Sequence, residues 1–182
     1  MTHADFYRRI AQSTAHRPIR DELAAMVFAQ PGLFEDLMRV ALNPLDAHHH
    51  KACWITELVL ERKIQWLETY LEPFCEVLPR LSHDGAVRSM SKIALFAVGY
   101  HFKSGDFLSD RQLVKITEVC FDWLIGPAKV ASKAYAMRTL LQTGRVHDWV
   151  YPELRVILEQ GYPHHSAGYQ AASRDVLRKI GR

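Results

Sequence analysis

The hydrophobic residues of this chain recur at intervals of three and four, and this spacing constrains its fold more than any other feature. In the segment 64–81 they form one continuous helical stripe, made of Ile64, Leu67, Leu71, Phe74, Leu78 and Leu81. Shorter stretches with the same spacing lie within 113–123, 130–141 and 150–157. No comparable stretch alternates with a period of two, as a half-buried strand would. The sequence therefore predicts an all-α protein of about nine or ten helices joined by short turns.

Length and composition exclude several classes of protein. A chain of 182 residues, 48% of them hydrophobic, is long enough for one globular domain and too apolar for a disordered one. No apolar run approaches the roughly 18 residues of a membrane span, and the N-terminus shows no secretory signal. The three cysteines, Cys53, Cys75 and Cys120, form no CxxC pair, so we expect buried, reduced thiols. These observations predict a cytoplasmic protein that needs no membrane, metal or cofactor.

Equivalent positions recur along the chain at intervals that indicate an internal repeat. Pro73 and Pro152 interrupt two apolar helices and are 79 residues apart. Turns at Asp84, Pro127 and His165 follow one another after 43 and 38 residues. A unit of about 40 residues that holds two helices has the period of HEAT and armadillo arrays. The second helix of each unit is rich in small residues, which lets neighbouring helices pack closely. We therefore expect a solenoid of helix pairs rather than an up-and-down bundle.

The segment Asp84-Gly85-Ala86-Val87-Arg88, with the small-residue stripe that follows it, resembles the start of a HEAT second helix. The proline-bearing helix before it, Trp66 to Leu81, is similar to a HEAT first helix. The resemblance implies one HEAT-like domain over 1–182, folded as a right-handed α–α superhelix with its helices in antiparallel pairs. It covers three clearer repeats, at 64–103, 109–145 and 147–182, and a weaker repeat at 18–62.

The chain as a whole is similar to short bacterial HEAT-like proteins of unassigned function, some of which carry an adenylosuccinate lyase label. The residues do not support that label, because the lyase motif Met-Pro-x-Lys-x-Asn is absent and Ser89-Met90-Ser91-Lys92 does not replace it. HExxH, GxSxG, Walker A and GxGxxG motifs are also absent. The sequence therefore nominates no catalytic residue, and it favours a protein that is not an enzyme.

The small net charge of +3 conceals two sets of helices with opposite charge, which largely cancel. In the three clearer repeats the first helices hold four basic and nine acidic residues, a net of −5. The second helices hold eleven basic and two acidic residues, a net of +9. The ranges counted are 64–82, 109–125 and 147–160 for the first helices, and 84–103, 127–145 and 165–182 for the second. Because second helices line the concave face of a HEAT-like array, the resemblance implies a basic groove.

Seven basic residues of the second helices are the candidate partner contacts, namely Arg88, Lys92, Lys129, Lys133, Arg138, Arg174 and Arg178. A basic groove favours an anionic macromolecule, either nucleic acid or an acidic protein segment. The same charges also have a structural interpretation, since cations stabilise helix C-termini and basic helices can pair with acidic ones. We expect a non-catalytic binding or scaffold module, with this structural role as the competing interpretation.

An enzymatic alternative is a HEAT-like DNA alkylation-repair glycosylase, a family that binds DNA on a basic concave face with Trp and Asp near the lesion. His50, Trp54, Glu57 and Glu61 share one face of a helix, where a buried carboxylate beside an aromatic ring stabilises a glycosyl cation. The family's Asp is not matched, which disfavours this hypothesis. All four tryptophans are expected in the core; they are Trp54, Trp66, Trp123 and Trp149.

Histidines concentrate in the turns between first and second helices, at His48, His49, His50, His83, His164 and His165. Stacked repeats would bring His48–His50 close to His83. Consecutive histidines point in different directions, unlike an i, i+4 pair on a helix. We therefore expect solvated turn residues rather than a metal site.

Overall fold

The structure is a computed structural model that describes residues 2–181, and this part of the chain is helical with no β-strand. The predicted all-α class is confirmed, as is the predicted number of helices, since ten α-helices lie within residues 2–181. Their bounds are α1 His3–Gln12, α2 Arg17–Ala29, α3 Leu33–Ala41, α4 His49–Arg62, α5 Leu71–Val77, α6 Asp84–Ser104, α7 Asp110–Ile125, α8 Val130–Thr143, α9 Val150–Gly161 and α10 Ala167–Ile180. Short 3-10 helices occupy Ile64–Tyr70, Leu78–Arg80 and Tyr162–His164.

The chain forms two compact units, Met1–Ile93 and Ala94–Arg182, and the boundary between them falls within α6. In the first unit α4 packs against α1, α2 and α3, and most of its residues are buried. In the second unit α7 packs against α8, and α10 packs against both α8 and α9. Each unit therefore has one central helix, α4 in the first and α8 in the second.

The segment 64–81 forms a more broken helix than its apolar stripe predicts. It consists of the 3-10 helix Ile64–Tyr70, then α5, then the 3-10 helix Leu78–Arg80. The interruptions have a local cause, because Pro73 is the third residue of α5 and Pro79 lies in the first turn of Leu78–Arg80. Proline is tolerated in a first turn, where the backbone N–H has no intrahelical acceptor, and disrupts a helix interior. Pro152 occupies the same third position in α9.

Helix ends in the second unit follow local sequence signals. The Ser109 side chain accepts from the Gln112 backbone N–H, and the Gln112 side chain accepts from the Ser109 backbone N–H. This reciprocal pair is a capping box, and it fixes the start of α7. At the end of α6, Gly105 has φ +93° and its N–H donates to the His101 carbonyl over 2.8 Å. A left-handed residue at this position terminates a helix and is best supplied by glycine.

The buried residues include all three cysteines, as expected. Burial raises the pKa of the Cys53 thiol and raises that of Cys120 to about 12, so neither is a nucleophile at neutral pH. The prediction of four core tryptophans is confirmed for Trp123, which is 7% exposed, whereas Trp54 and Trp66 are half-buried and Trp149 is 46% exposed. Trp149 lies just before α9 rather than on its apolar stripe, so its ring packs on the surface instead of in the core. Within residues 2–181, no helix is long and apolar enough to cross a membrane.

Candidate binding surfaces

Two of the seven predicted contacts, Arg88 and Lys92, bind a buried carboxylate in the first unit. Glu57 on α4 is 2% exposed. Its Oε2 accepts from Arg88 Nη1 over 3.1 Å and from Ser89 Oγ over 2.6 Å, and its Oε1 accepts from Lys92 Nζ over 3.0 Å. Lys92 Nζ also donates to Glu61 Oε1 over 3.2 Å. These bonds join α4 to the start of α6, so Arg88 and Lys92 have a structural role, although their acceptor is not on a first helix of the same repeat.

Both oxygens of Glu57 are occupied, and this affects the chemistry available to the site. Burial lowers the pKa of Lys92, but the hydrogen bonds and charges of Glu57 and Glu61 together outweigh that effect and hold the pKa above its ordinary value. Lys92 is therefore a stable cation bonded to a carboxylate. A glycosylase needs a carboxylate that faces substrate, whereas Glu57 faces Arg88, Ser89 and Lys92.

Beside this cluster, His50 and Trp54 on α4 and His83, just before α6, form an aromatic group. The rings of His50 and His83 stack with centroids 4.0 Å apart, and the Trp54 ring lies 5.2 Å from His50 in an edge-on arrangement. The predicted approach of the 48–50 histidines to His83 is therefore confirmed for His49 and His50. A Cβ on Gly85 would lie 2.7 Å from Trp54 Nε1, so glycine is required for this close packing. Burial, together with the nearby His83 and His49, lowers the pKa of His50 to about 4.

The prediction of solvated turn histidines is wrong for His49, which is 7% exposed. His49 is the first residue of α4, and this position directs its ring inward, 6.3 Å from the His83 ring. Its Nδ1 is buried and has no hydrogen-bond partner. Among residues 2–181 no three side chains of His, Cys, Asp or Glu are placed to hold a metal ion together.

In the second unit, Lys133 is buried rather than exposed to a partner. Its Nζ donates to the carbonyls of Leu124 over 2.7 Å and Gly126 over 2.8 Å, at the C-terminal end of α7. A cation at this end satisfies backbone carbonyls that have no intrahelical donor and interacts favourably with the helix dipole. Lys133 therefore stabilises the end of α7, although sequence reasoning had placed it in the groove.

The other four predicted contacts are exposed on or beside α8 and α10. These two helices run parallel, because Val130 lies against Gly168 at one end and Met137 against Ser173 further along. Lys129 precedes α8 and Arg138 lies on its exposed face. Arg174 and Arg178, four residues apart, share a face of α10.

The surface of α10 has an open depression of about 500 Å³, lined by Ala171, Arg174, Asp175 and Arg178. Arg174 Nη1 donates to Tyr162 Oη over 2.6 Å, and its guanidinium lies 5.9 Å from the centre of that ring. Asp175 accepts from Arg178 over 2.8 Å and from Lys179 over 2.7 Å. The depression therefore carries two ordered guanidinium groups and a single carboxylate.

A second open groove of about 330 Å³ lies between α7 and α9, and we call it the α7/α9 groove. Its apolar lining consists of Phe121, Ile125, Trp149 and Ile157, with the Phe121 and Trp149 rings 5.5 Å apart. The charged lining consists of Glu118, Asp122 and Glu153. Sequence reasoning missed this groove, although a signal was present: Phe121 and Ile125 lie outside the core stripe of Leu113, Ile116, Cys120 and Trp123.

The fold and these surfaces define an all-α protein whose first unit contains a satisfied ion-pair cluster and whose second unit has open charged surfaces. Comparison with protein-family models, with curated proteins and with solved structures found no match for the chain.

Proposed function

We propose that this protein is a non-catalytic binding module that binds an anionic macromolecule through the exposed basic side chains of α8 and α10. We also propose that its helix pairs stack as a right-handed, HEAT-like superhelix. The parallel packing of α8 against α10 supports this stacking, because successive second helices of a solenoid run in the same direction.

The depression on α10 is the observation that carries the proposal. The guanidinium groups of Arg174 and Arg178 border it, and each is a planar fork that matches the oxygens of a phosphate or carboxylate. Tyr162 holds the Arg174 guanidinium in place before any partner arrives, which lowers the entropic cost of binding. Lys129, just before α8, and Arg138, on α8, add two exposed basic side chains at the helix that packs against α10.

The partner class follows from the shape and the charge of this surface. An open depression between arginines suits a flexible anionic chain rather than an enclosed small molecule. Phosphate and carboxylate groups both accept two hydrogen bonds from one arginine, so nucleic acid and an acidic protein segment share the chemistry recognised here. A nucleic acid is distinguished by its salt dependence, because each contacted phosphate releases counterions on binding.

The proposal is tested with the variant Arg138→Glu/Arg174→Glu/Arg178→Glu. Fluorescence anisotropy measures binding to labelled single-stranded and duplex oligonucleotides and to a labelled poly-glutamate peptide, at several salt concentrations. We expect the wild type to bind at least one of these probes and the variant to bind it about tenfold or more weakly. Lys92 and Lys133 are left unchanged, because they bond to Glu57 and to the end of α7. Substituting either residue would change the stability of the fold as well as its charge.

Arg155→Glu is the matched control, since Arg155 is exposed on α9 and the change in charge per residue is the same. This control should keep the affinity of the wild type. The proposal fails if the wild type binds none of the three probes, or if the triple variant binds as tightly as the control while its circular dichroism is unchanged.

A further inference from the structure

We propose that the α7/α9 groove binds a basic, amphipathic helical segment of a partner protein. The groove belongs to the second unit and is lined by helices other than α8 and α10, so this binding is separate from the proposed binding of an anionic macromolecule.

The apolar lining of the groove is exposed to an extent that packing within the second unit does not explain. Ile125 is 65% exposed and Trp149 is 46% exposed, and both border the same depression. The half-buried side chains of Phe121 and Ile157 line it as well. Exposed aromatic and aliphatic residues clustered around a depression are typical of protein–protein contact sites, where tryptophan contributes strongly to affinity.

The charges around the groove specify the partner. Glu118 and Asp122, four residues apart on α7, and Glu153 on α9 are all exposed, and within residues 2–181 no lysine or arginine lines the groove with them. Three carboxylates attract lysine and arginine and repel an acidic segment or an anionic lipid surface. The Trp149 side chain, 46% exposed, adds apolar surface against which the aliphatic part of a lysine or arginine side chain can pack.

The size of the groove limits what it holds. A volume of about 330 Å³ is at the lower end of the range for small-molecule sites, and the groove is open to solvent. It therefore accommodates a few anchoring side chains from the apolar face of a helix, with basic residues on both sides. A second copy of this chain is a poorer occupant, because symmetric pairing of two grooves would bring six carboxylates together.

The binding experiment uses a designed peptide of roughly 18 residues, long enough to form a helix. Leucine at positions i, i+3, i+4 and i+7 forms the apolar face, and lysine flanks it. Two control peptides isolate the two features: one has the same composition in scrambled order, and the other has glutamate in place of every lysine. Affinity is measured by fluorescence anisotropy with a fluorescein label on each peptide.

We expect the basic amphipathic peptide to bind the wild type, and both control peptides to bind about tenfold more weakly or not at all. Trp149→Ala should weaken binding of the basic peptide about tenfold. Glu118→Lys/Asp122→Lys/Glu153→Lys should abolish it and allow the glutamate peptide to bind instead. The variant Arg138→Glu/Arg174→Glu/Arg178→Glu should keep its affinity for the basic peptide, since it leaves the groove unchanged.

Four results would overturn the inference. In the first two, the scrambled peptide binds as tightly as the amphipathic one, or Trp149→Ala keeps full affinity. In the third, circular dichroism shows that Glu118→Lys/Asp122→Lys/Glu153→Lys is folded, but this variant does not bind the glutamate peptide more tightly than the basic peptide. In the fourth, sedimentation shows self-association of the wild type that Trp149→Ala abolishes, which would assign the groove to a second copy of the chain.

Discussion

Arg88 and Lys92 in the first unit carry the same charge as Arg174 and Arg178 in the second, but the two pairs have different surroundings. Arg88 and Lys92 are bonded to the buried carboxylate of Glu57, whereas Arg174 and Arg178 border an open depression. Buried partners make a charge part of the fold, and solvent exposure leaves it available to a ligand. The lesson is that a count of charges along helices identifies candidates, and burial separates structural residues from binding residues.

The largest expected effect is at Glu57, the buried carboxylate that binds Arg88 and Lys92. Glu57→Ala leaves the Lys92 ammonium partly buried without its main acceptor, and we expect the free energy of unfolding to fall by about 3 kcal/mol. Urea unfolding followed by circular dichroism measures this change. Glu61→Ala is the control, because Glu61 has a 42% exposed side chain and should cost less than about 1 kcal/mol. Equal losses in the two variants would contradict the assignment of Glu57 as a structural residue.

The next largest effect is expected at Lys133, which tests the contrast within the second unit alone. Lys133→Met removes the donor to the Leu124 and Gly126 carbonyls, so the free energy of unfolding should fall by about 1–3 kcal/mol. Arg138→Met on the exposed face of the same helix should change it by less than about 0.5 kcal/mol. Urea unfolding measures both. If Arg138→Met proved the more destabilising variant, the separation of structural from available charges on α8 would be wrong.

A smaller, pH-dependent effect is expected at His50. Its pKa is lowered from 6.5 to about 4, so the ring is neutral in the folded protein, whereas the unfolded chain takes up a proton as the pH falls below about 6.5. The stability contributed by the neutral ring is full above pH 6.5 and is lost as the pH falls toward 4. Between pH 7 and pH 5 we expect a loss of about 1–2 kcal/mol, after allowance for solvent screening.

Urea unfolding of the wild type and of His50→Gln at both pH values checks this effect. The variant should lose less stability than the wild type on acidification. Burial also lowers the pKa of His49, so part of the pH dependence remains in the variant. His164→Gln, at an exposed position in the second unit, should behave as the wild type does. A pH dependence that is the same in His50→Gln would rule out His50 as its source.

The smallest expected effect is at Trp149, an exposed residue that lines the α7/α9 groove. Because the side chain is only about half-buried, Trp149→Ala should lower the free energy of unfolding by less than about 1 kcal/mol. Thermal unfolding measures this change, with Trp123→Ala as the buried counterpart, which should cost about 3 kcal/mol or more. A large loss for Trp149→Ala would show that the ring supports the fold rather than a binding surface.

Much of the helical structure could be predicted because it depends on neighbouring residues. The capping box at Ser109 and Gln112 requires only a spacing of three, and the sequence shows it directly. The stripe over 64–81 was less informative, since Pro73 and Pro79 divide the segment into three short helices. The spacing of apolar residues indicates which face of a helix is buried. Backbone constraints such as proline determine whether the helix is continuous.

The candidate sites were predicted less well because they depend on residues distant in the chain. Arg88 and Lys92 lie 31 and 35 residues from Glu57, and no local pattern marks that carboxylate as their acceptor. Lys133 is recognisable as a helix-end cation only when the end of α7 lies beside α8. The α7/α9 groove was missed because Trp149, at the edge of an apolar stripe, was assigned to the core.

The sequence by itself determined that this protein is all-α, with about ten helices and with basic residues concentrated on one set of them. These properties follow from the periodicity of side chains along a helix and from local capping, which act over a few residues. Only the tertiary structure decided which charges are structural and which are open to a partner. The physical reason is that the cost of removing a charge from water, and the partner that offsets this cost, depend on groups that come together only when the helices pack.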